Sequence, residues 1–453
     1  MNSSASRTAA PIERFTAVIS REDLRPLYSK NSSTAQQEAM LQRLGLLSLR
    51  HFFDEFLENE RKLNPLSHKE LVALFDRCCD AKCESDELFR VLQKLAPCNG
   101  HIGYEQVNFL VDYLRKRVAS FLYSSGHHLE DLMKHDHVFG SGGDFCKTIH
   151  ASTAASILAA PLVRICKTGT TNVTSLHGSA QAMTEIGYGN LPLDINRLNK
   201  ELEKFNFTFV PLSSLGFPYS NALKAARARL WNEAKEKLDA QCKEMNCEER
   251  ELGWQEVIKT TDIPLDIFKI VSPNAQVLNP QHHSTGVCHL AMIPYVLGLY
   301  LHLGSEGIIV HSYDGIDEFS NAASAFSQPN NLVIHIGPDK LTFTECSPED
   351  LGLRWARLQD IQEVEDLQSS IEDDFWRIIS GEEKGPKRDF IVANAAVLVV
   401  SANLVSSTEY DLIGQLRVAV KMIEELIDSE ESLKKFKALL DSRRDTIALP
   451  PPL

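Results

Sequence analysis

Val138-Phe139-Gly140-Ser141-Gly142-Gly143-Asp144 leads, through Thr148 and His150, into Ser152-Thr153 and the apolar stretch Ala154 to Leu162; Val163-Arg164-Ile165-Cys166 and Lys167-Thr168-Gly169-Thr170 follow. Two short apolar runs flank a longer one of helical length, and each short run ends in glycine and small hydroxyl residues. The order reads as strand, glycine loop, helix, strand and second loop. Glycines let backbone N–H groups approach an anion closely, and the start of the next helix adds a favourable dipole. A lone glycine loop is more often only a tight turn. Here Thr148, Ser152 and Thr153 place hydroxyls at the helix start, which makes an anion cradle the stronger reading.

Outward from this segment the alternation continues. Strands are expected at Phe207 to Pro211, Gly307 to His311 and Asn331 to Ile336, with a helix from about Pro218 into the 230s. Such alternation predicts an α/β domain with a mainly parallel central sheet flanked by helices. Upstream, the periodicity is helical: Leu41, Leu44 and Leu47, then Phe52, Phe53, Phe56 and Leu57. Ser67 followed by Glu70 has capping-box spacing. The expected fold is therefore α/β, a small all-helical N-terminal domain joined to a larger α/β domain. Residues 1–11 read as a disordered tail, 12–135 as the helical domain with an N-terminal extension at 12–65, 136–445 as the α/β domain and 446–453 as a second tail. The charged insertion 231–262 reads as a solvated surface helix, and Ile391 to Leu404 as a buried one.

Composition narrows the partners. The 453 residues are 43% hydrophobic and 24% charged, enough for a sizeable core. Acidic residues exceed basic ones by 61 to 47, giving a net charge of −14. A chain of that sign is repelled by phosphate backbones, so nucleic acid is not expected as a partner. Cys78, Cys79 and Cys83, like Cys242 and Cys247, lack the second pair of a zinc site and read as free thiols of a cytoplasmic protein. No run of 18 apolar residues predicts a membrane span.

Two further clusters carry chemistry. Lys167, at a strand end among small hydroxyl residues, suits phosphate binding, although alone it would read as a solvated surface lysine. Asp314-Gly315-Ile316-Asp317-Glu318 follows the strand at Gly307 to His311; adjacent carboxylates there suit Mg2+ held jointly with substrate phosphates, although alone they would read as a solvated pair. Together these supply a cradle, a cation and a metal site at the sheet edge where ligands of open α/β folds collect.

In this order the motifs resemble those of the anthranilate phosphoribosyltransferase family. Its signature runs Gly-Thr-Gly-Gly-Asp-Gly, Asn-x-Ser-Thr, Lys-His-Gly-Asn and Gly-x-Asp-Glu. Landmarks at Gly178-Ser179-Ala180, Phe268, Pro273, Asn279-Pro280 and Leu351-Gly352-Leu353 are similar too, and the likeness spans about residues 65 to 440. The resemblance implies that Gly140, Gly142, Gly143, Asp144, Thr148, His150, Ser152, Thr153 and Lys167 bind phosphoribosyl pyrophosphate. It implies Mg2+ on Ser152, Asp317 and Glu318, with Lys167, Asp317 and Glu318 as the catalytic set. Thr168, Thr170 and Arg227 take the acceptor positions. It further implies a homodimer formed through the helical domain.

The departures fall on the acceptor side. Lys-His-Gly-Asn has become Lys167-Thr168-Gly169-Thr170, the Asn of Asn-x-Ser-Thr is His150, and the His-Pro before the arginine is Phe217-Pro218. The expected reaction is transfer of phosphoribose to the nitrogen of anthranilate or a related aromatic amine. A non-catalytic binding member and a pyrimidine-nucleoside phosphorylase relative remain as alternatives, and the pathway is left open between tryptophan biosynthesis and a specialised one.

Overall fold

A single eight-stranded sheet organises the computed structural model, which describes residues 16–44, 47–80, 82–140, 148–170, 178–189, 191–216, 220–244, 265–275, 277–278, 280–322, 330–362 and 371–448. The first described element is strand β1 (Thr16–Ser20). A single helical turn at Arg21–Leu24 and five longer helices follow: α1 (Thr34–Leu44), α2 (Leu47–Lys62), α3 (His68–Cys79), α4 (Ser85–Leu95) and α5 (Tyr104–Ser124). The α/β part then runs β2 (Asp136–Gly140), α6 (Ala151–Ala159), β3 (Ile165–Gly169), α7 (Ser179–Glu185), α8 (Ile195–Phe205), β4 (Phe207–Pro211), α9 (Asn221–Glu244), α10 (Ile267–Asn274), β5 (His283–Gly286), α11 (Ile293–Leu303), β6 (Gly307–Ser312), β7 (Asn331–Ile336) and β8 (Lys340–Cys346). It ends with α12 (Ile371–Ile379), α13 (Pro386–Ser401), α14 (Leu412–Asp428) and α15 (Glu431–Ala448).

The strand order is β1-β8-β7-β6-β5-β2-β3-β4. From β6 to β4 every neighbouring pair is parallel, whereas β6–β7, β7–β8 and β8–β1 are antiparallel. The expected mainly parallel sheet is therefore present, extended by an antiparallel flank. Side chains alternate between two cores. Phe139, Cys166, Val210 and Ile309 face the helical domain, while Val138, Ile165, Phe209, Ile308 and Val310 face the layer built on α6 and α13. Parallel strands buried on both faces commonly read as continuous apolar runs; here β2, β3 and β5 depart from that, carrying buried His137, Lys167 and His283.

The local signals act as expected at several ends. Ser67 Oγ accepts from Glu70 N at 3.4 Å while the Glu70 carboxylate accepts from Ser67 N at 2.9 Å, closing the capping box of α3. Helix α13 starts on Pro386 at its first turn and is buried from Arg388 to Ser401, as its apolar composition requires. Among the described residues no helix is long and apolar enough to cross a membrane.

The helical expectation for residues 12–65 fails at Thr16–Ser20. There Ala17 and Ile19 point into the core and Val18 outward, the two-residue period of a strand. β1 pairs with β8 in register Thr16↔Thr344 to Ser20↔Lys340, so the extension completes the sheet's antiparallel edge. Strands β5 and β8 were also not anticipated. Of the charged insertion, residues 231–244 continue α9; the rest of it lies outside the described residues.

Candidate active site

The parallel strands end together. β2 stops at Gly140 and β5 at Gly286, directly paired across the ladder. After β6 the chain turns through Tyr313–Gly315 and brings Asp317-Glu318 back over those two ends. Gly286 is required by this approach, and Gly140 leaves room for the Asp317 side chain. A Cβ on Gly140 would lie 2.6 Å from Asp317 Oδ2, and one on Gly286 only 1.5 Å from the Asp317 carbonyl oxygen.

Lys167 comes from the middle of β3, on the α6 face, and is fully buried. Its Nζ donates to the Oγ of Ser152, in the first turn of α6, at 3.2 Å. Burial pulls the ammonium down to about 8 against the opposing pull of the nearby Glu318 and Asp317 carboxylates. Gly140, Ser152, Ser284, Gly286, Asp317 and Glu318 line a cavity of about 40 Å3 between the strand ends and α13. The structure thus brings together Gly140, Ser152, Lys167, Asp317 and Glu318, residues separated by up to 178 positions in sequence but expected to act as one site.

The other expected residues distribute as follows. His150 is the N-cap residue of α6, Thr153 is buried inside that helix, and Thr148 forms an isolated antiparallel bridge with Gln362. Gly142, Gly143 and Asp144 lie outside the described residues. The acceptor-side residues are not part of the Lys167 cluster. Thr168 faces the helical domain, where its buried Oγ1 shares a hydrogen bond of 2.8 Å with His137 Nε2 on β2. Arg227, on α9, is also on that side: its Nε donates to Asp266 Oδ2 at 2.6 Å and its guanidinium lies 5.5 Å over the Phe268 ring. Thr170 follows β3, and its carbonyl accepts from Ala180 N at 3.1 Å.

Sequence reasoning missed Gly286, His137, Asn331 and Asn394. Asn394 carried the one legible signal, a lone amide within the apolar run Ile391 to Val400. A hydroxyl and two carboxylates are hard oxygen donors, and the negative charge of two carboxylates exceeds that of one ammonium. The set fits Mg2+, and it is too small to be an all-protein cage, so phosphate oxygens would complete the coordination.

A helical domain on a largely parallel sheet, with an ammonium, a hydroxyl and paired carboxylates gathered beside the strand ends, is an arrangement suited to a phosphorylated substrate. A model of the glycosyl transferase family, a/b domain, matches residues 134–230 and 257–432. The anthranilate phosphoribosyltransferase of Clostridium beijerinckii is 30% identical over 304 residues, 66% of this chain and 74% of that one. That of Petrotoga mobilis is 26% identical over 393 residues, 86% of this chain and 96% of its own. Among solved structures, anthranilate phosphoribosyltransferase from Thermus thermophilus superposes with a TM-score of 0.55 at 17% identity, covering 87% of this chain and 99% of that chain. The chain belongs to the anthranilate phosphoribosyltransferase family and is a pentosyltransferase.

Proposed function

We propose that the chain transfers the phosphoribosyl group of phosphoribosyl pyrophosphate to the nitrogen of anthranilate or a related aromatic amine. The observation that carries this reading is the convergence of Lys167, Ser152, Asp317 and Glu318 beside the ends of β2 and β5. The curated relatives' shared name supports the same donor and acceptor.

In this reaction the bond from the anomeric carbon to the pyrophosphate oxygen breaks, its electron pair leaving with pyrophosphate. The amine lone pair forms the new carbon–nitrogen bond, and the nitrogen then releases a proton to solvent. An arylamine is already nucleophilic, so positioning and stabilisation of the leaving group supply the acceleration. Ser152, Asp317 and Glu318 would hold Mg2+, which when bound neutralises charge on the diphosphate. Lys167 contributes a fixed ammonium beside the same oxygens. Its buried position keeps it dry, where its charge acts most strongly.

The acceptor side favours a companion reading in which the amine differs from anthranilate. Thr168 and Thr170 replace an imidazole and an amide, and Thr168 is bonded to His137. Calorimetric titration with phosphoribosyl pyrophosphate and Mg2+, followed by anthranilate, tests both readings. Donor binding with loss of anthranilate fluorescence supports the first. Donor binding without that loss selects a different arylamine, and no donor binding overturns both.

The chain is also proposed to pair as a homodimer through its helical domain, where α5 leaves Phe121 and Tyr123 exposed. Light scattering of the intact chain and of a Phe121→Glu variant tests this, a monomeric mass for the unaltered chain being the contrary result.

A further inference from the structure

The segment that follows the carboxylate pair is held in an unusual way. Asn394, on α13, accepts from Phe319 N through Oδ1 at 2.9 Å and returns a bond from Nδ2 to Phe319 O at 2.9 Å. Asn331, the first residue of β7, does the same one residue later. Its Oδ1 accepts from Ser320 N at 2.7 Å and its Nδ2 donates to Ser320 O at 2.8 Å. Successive residues of an extended chain present their N–H and C=O groups in opposite directions. Two amides on two different elements can therefore clasp Phe319 and Ser320 from both sides, standing in for neighbouring strands.

Each amide is itself anchored. Asn394 Nδ2 also donates to Phe390 O at 2.8 Å within α13, and Asn331 Nδ2 to Asn330 Oδ1 at 2.7 Å. Both residues are buried, and Asn394 lines the cavity that Asp317 and Glu318 also line. Only an amide carries donor and acceptor together in this geometry; aspartate lacks the donor and leucine lacks both.

We propose that Asn394 and Asn331 are positioning residues, a double amide clasp that presents Asp317-Glu318 ready to take a divalent cation with the diphosphate of phosphoribosyl pyrophosphate. This rests on the reading of the donor substrate given above. The Ser312–Ile316 bridge holds the chain before the carboxylate pair and the clasp holds it after, so that binding need not order the two carboxylates. Partners that orient metal-binding groups typically account for about 10- to 100-fold in affinity.

The test is calorimetric titration of phosphoribosyl pyrophosphate into the full chain at limiting and at high Mg2+, for the unaltered protein, Asn394→Ala and Asn331→Ala, with melting temperatures alongside. The clasp predicts binding weakened about 10- to 100-fold at limiting Mg2+ in either variant, with the loss shrinking as Mg2+ rises. Steady-state turnover should show KM for phosphoribosyl pyrophosphate rising while kcat at high Mg2+ stays near that of the unaltered chain. If Asn394→Ala does not fold, Asn331→Ala, after which Ser320 O still accepts from Asn330 Nδ2 at 3.1 Å, carries the test. Lower melting temperature with unchanged Mg2+-dependent affinity would make the clasp structural only and overturn the proposal. Absence of Mg2+-dependent binding by the unaltered chain would instead overturn the donor assignment, and the clasp with it.

Discussion

Gly140 and Asp317 are in such close approach that a methyl group on the first would sit 2.6 Å from the carboxylate of the second. What would be struck is the end of a side chain. At Gly286 the same addition meets the Asp317 backbone at 1.5 Å. The two glycines should therefore fail differently. Gly140→Ala is expected to fold, with Asp317 turned aside and Mg2+-dependent binding of phosphoribosyl pyrophosphate weakened about 10-fold or more. Gly286→Ala is expected to lose stability first, because backbone must move. Melting curves and titrations on the two variants separate these outcomes, and equal behaviour would contradict the geometry.

Lys167 sets a pH dependence whose sign differs for stability and for binding. Its ordinary value is 10.5 and burial lowers it to about 8. Between those values the unfolded chain carries a proton that the folded chain has lost, so this residue adds stability as pH rises through the window; that contribution is lost as pH falls through about 8. Binding a phosphate favours the ammonium instead. Affinity for phosphoribosyl pyrophosphate is expected to fall as pH rises above about 8, with uptake of a proton on binding there. Calorimetry in buffers of different ionisation enthalpy reads that proton. Lys167→Met should abolish the uptake and weaken binding about 10- to 100-fold, the worth of a charged hydrogen bond.

How much of this was legible beforehand follows from the range of each interaction. The capping box at Ser67 and Glu70, the glycine loop, Lys167 and the Asp317-Glu318 pair announce themselves because a few adjacent residues suffice to specify their chemistry. The clasp does not, since Asn394 reaches Phe319 across 75 residues and only the path of α13 brings them together. Arg227 shows the same limit: its type suits a carboxylate ligand, yet its Nε is met by Asp266, 39 residues on. β1 was misread because five residues of alternation beside a long helical stretch carry too little pattern. Its partner, β8, lies more than 300 residues away.

Arg443 ties the last helix to the parallel edge of the sheet. It forms an ion pair with Glu201 on α8, donates to Tyr188 O at 2.7 Å and lies 3.6 Å over the Tyr188 ring. Glu201 in turn accepts from Tyr188 Oη at 2.7 Å and Thr208 Oγ1 at 2.6 Å. Arg443→Met would leave Glu201 buried without this partner, retaining Arg197 at 3.1 Å. Removing one member of a buried pair costs about 3–5 kcal/mol. A smaller loss at neutral pH, below about 1 kcal/mol, would mean that Arg197 compensates. Urea unfolding of the variant measures the difference, and donor binding should be unaffected at temperatures where it stays folded.

Thr168 departs from the family signature at a position where the resemblance implies contact with the acceptor. In the family signature an imidazole follows the lysine; here a threonine does, and an imidazole stands instead on the neighbouring strand as His137, joined to Thr168 at 2.8 Å. Burial holds His137 well below the ordinary histidine range, so it is neutral, and its Nδ1 makes no hydrogen bond among the described residues. Thr168→Val keeps the shape and removes the hydroxyl, leaving both ring nitrogens without partners, at a cost of about 1–3 kcal/mol. Stability therefore falls whichever role Thr168 plays, and it is the acceptor kinetics that discriminate. If Thr168 meets the amine, KM for the acceptor rises while binding of phosphoribosyl pyrophosphate is unchanged. If it serves only to hold His137, acceptor KM stays constant once the assay is run below the lowered melting temperature. Because His137 is already neutral, neither variant nor parent should show an activity step between about pH 6 and 7, where an ordinary histidine would titrate; a step there would assign the titration to another group.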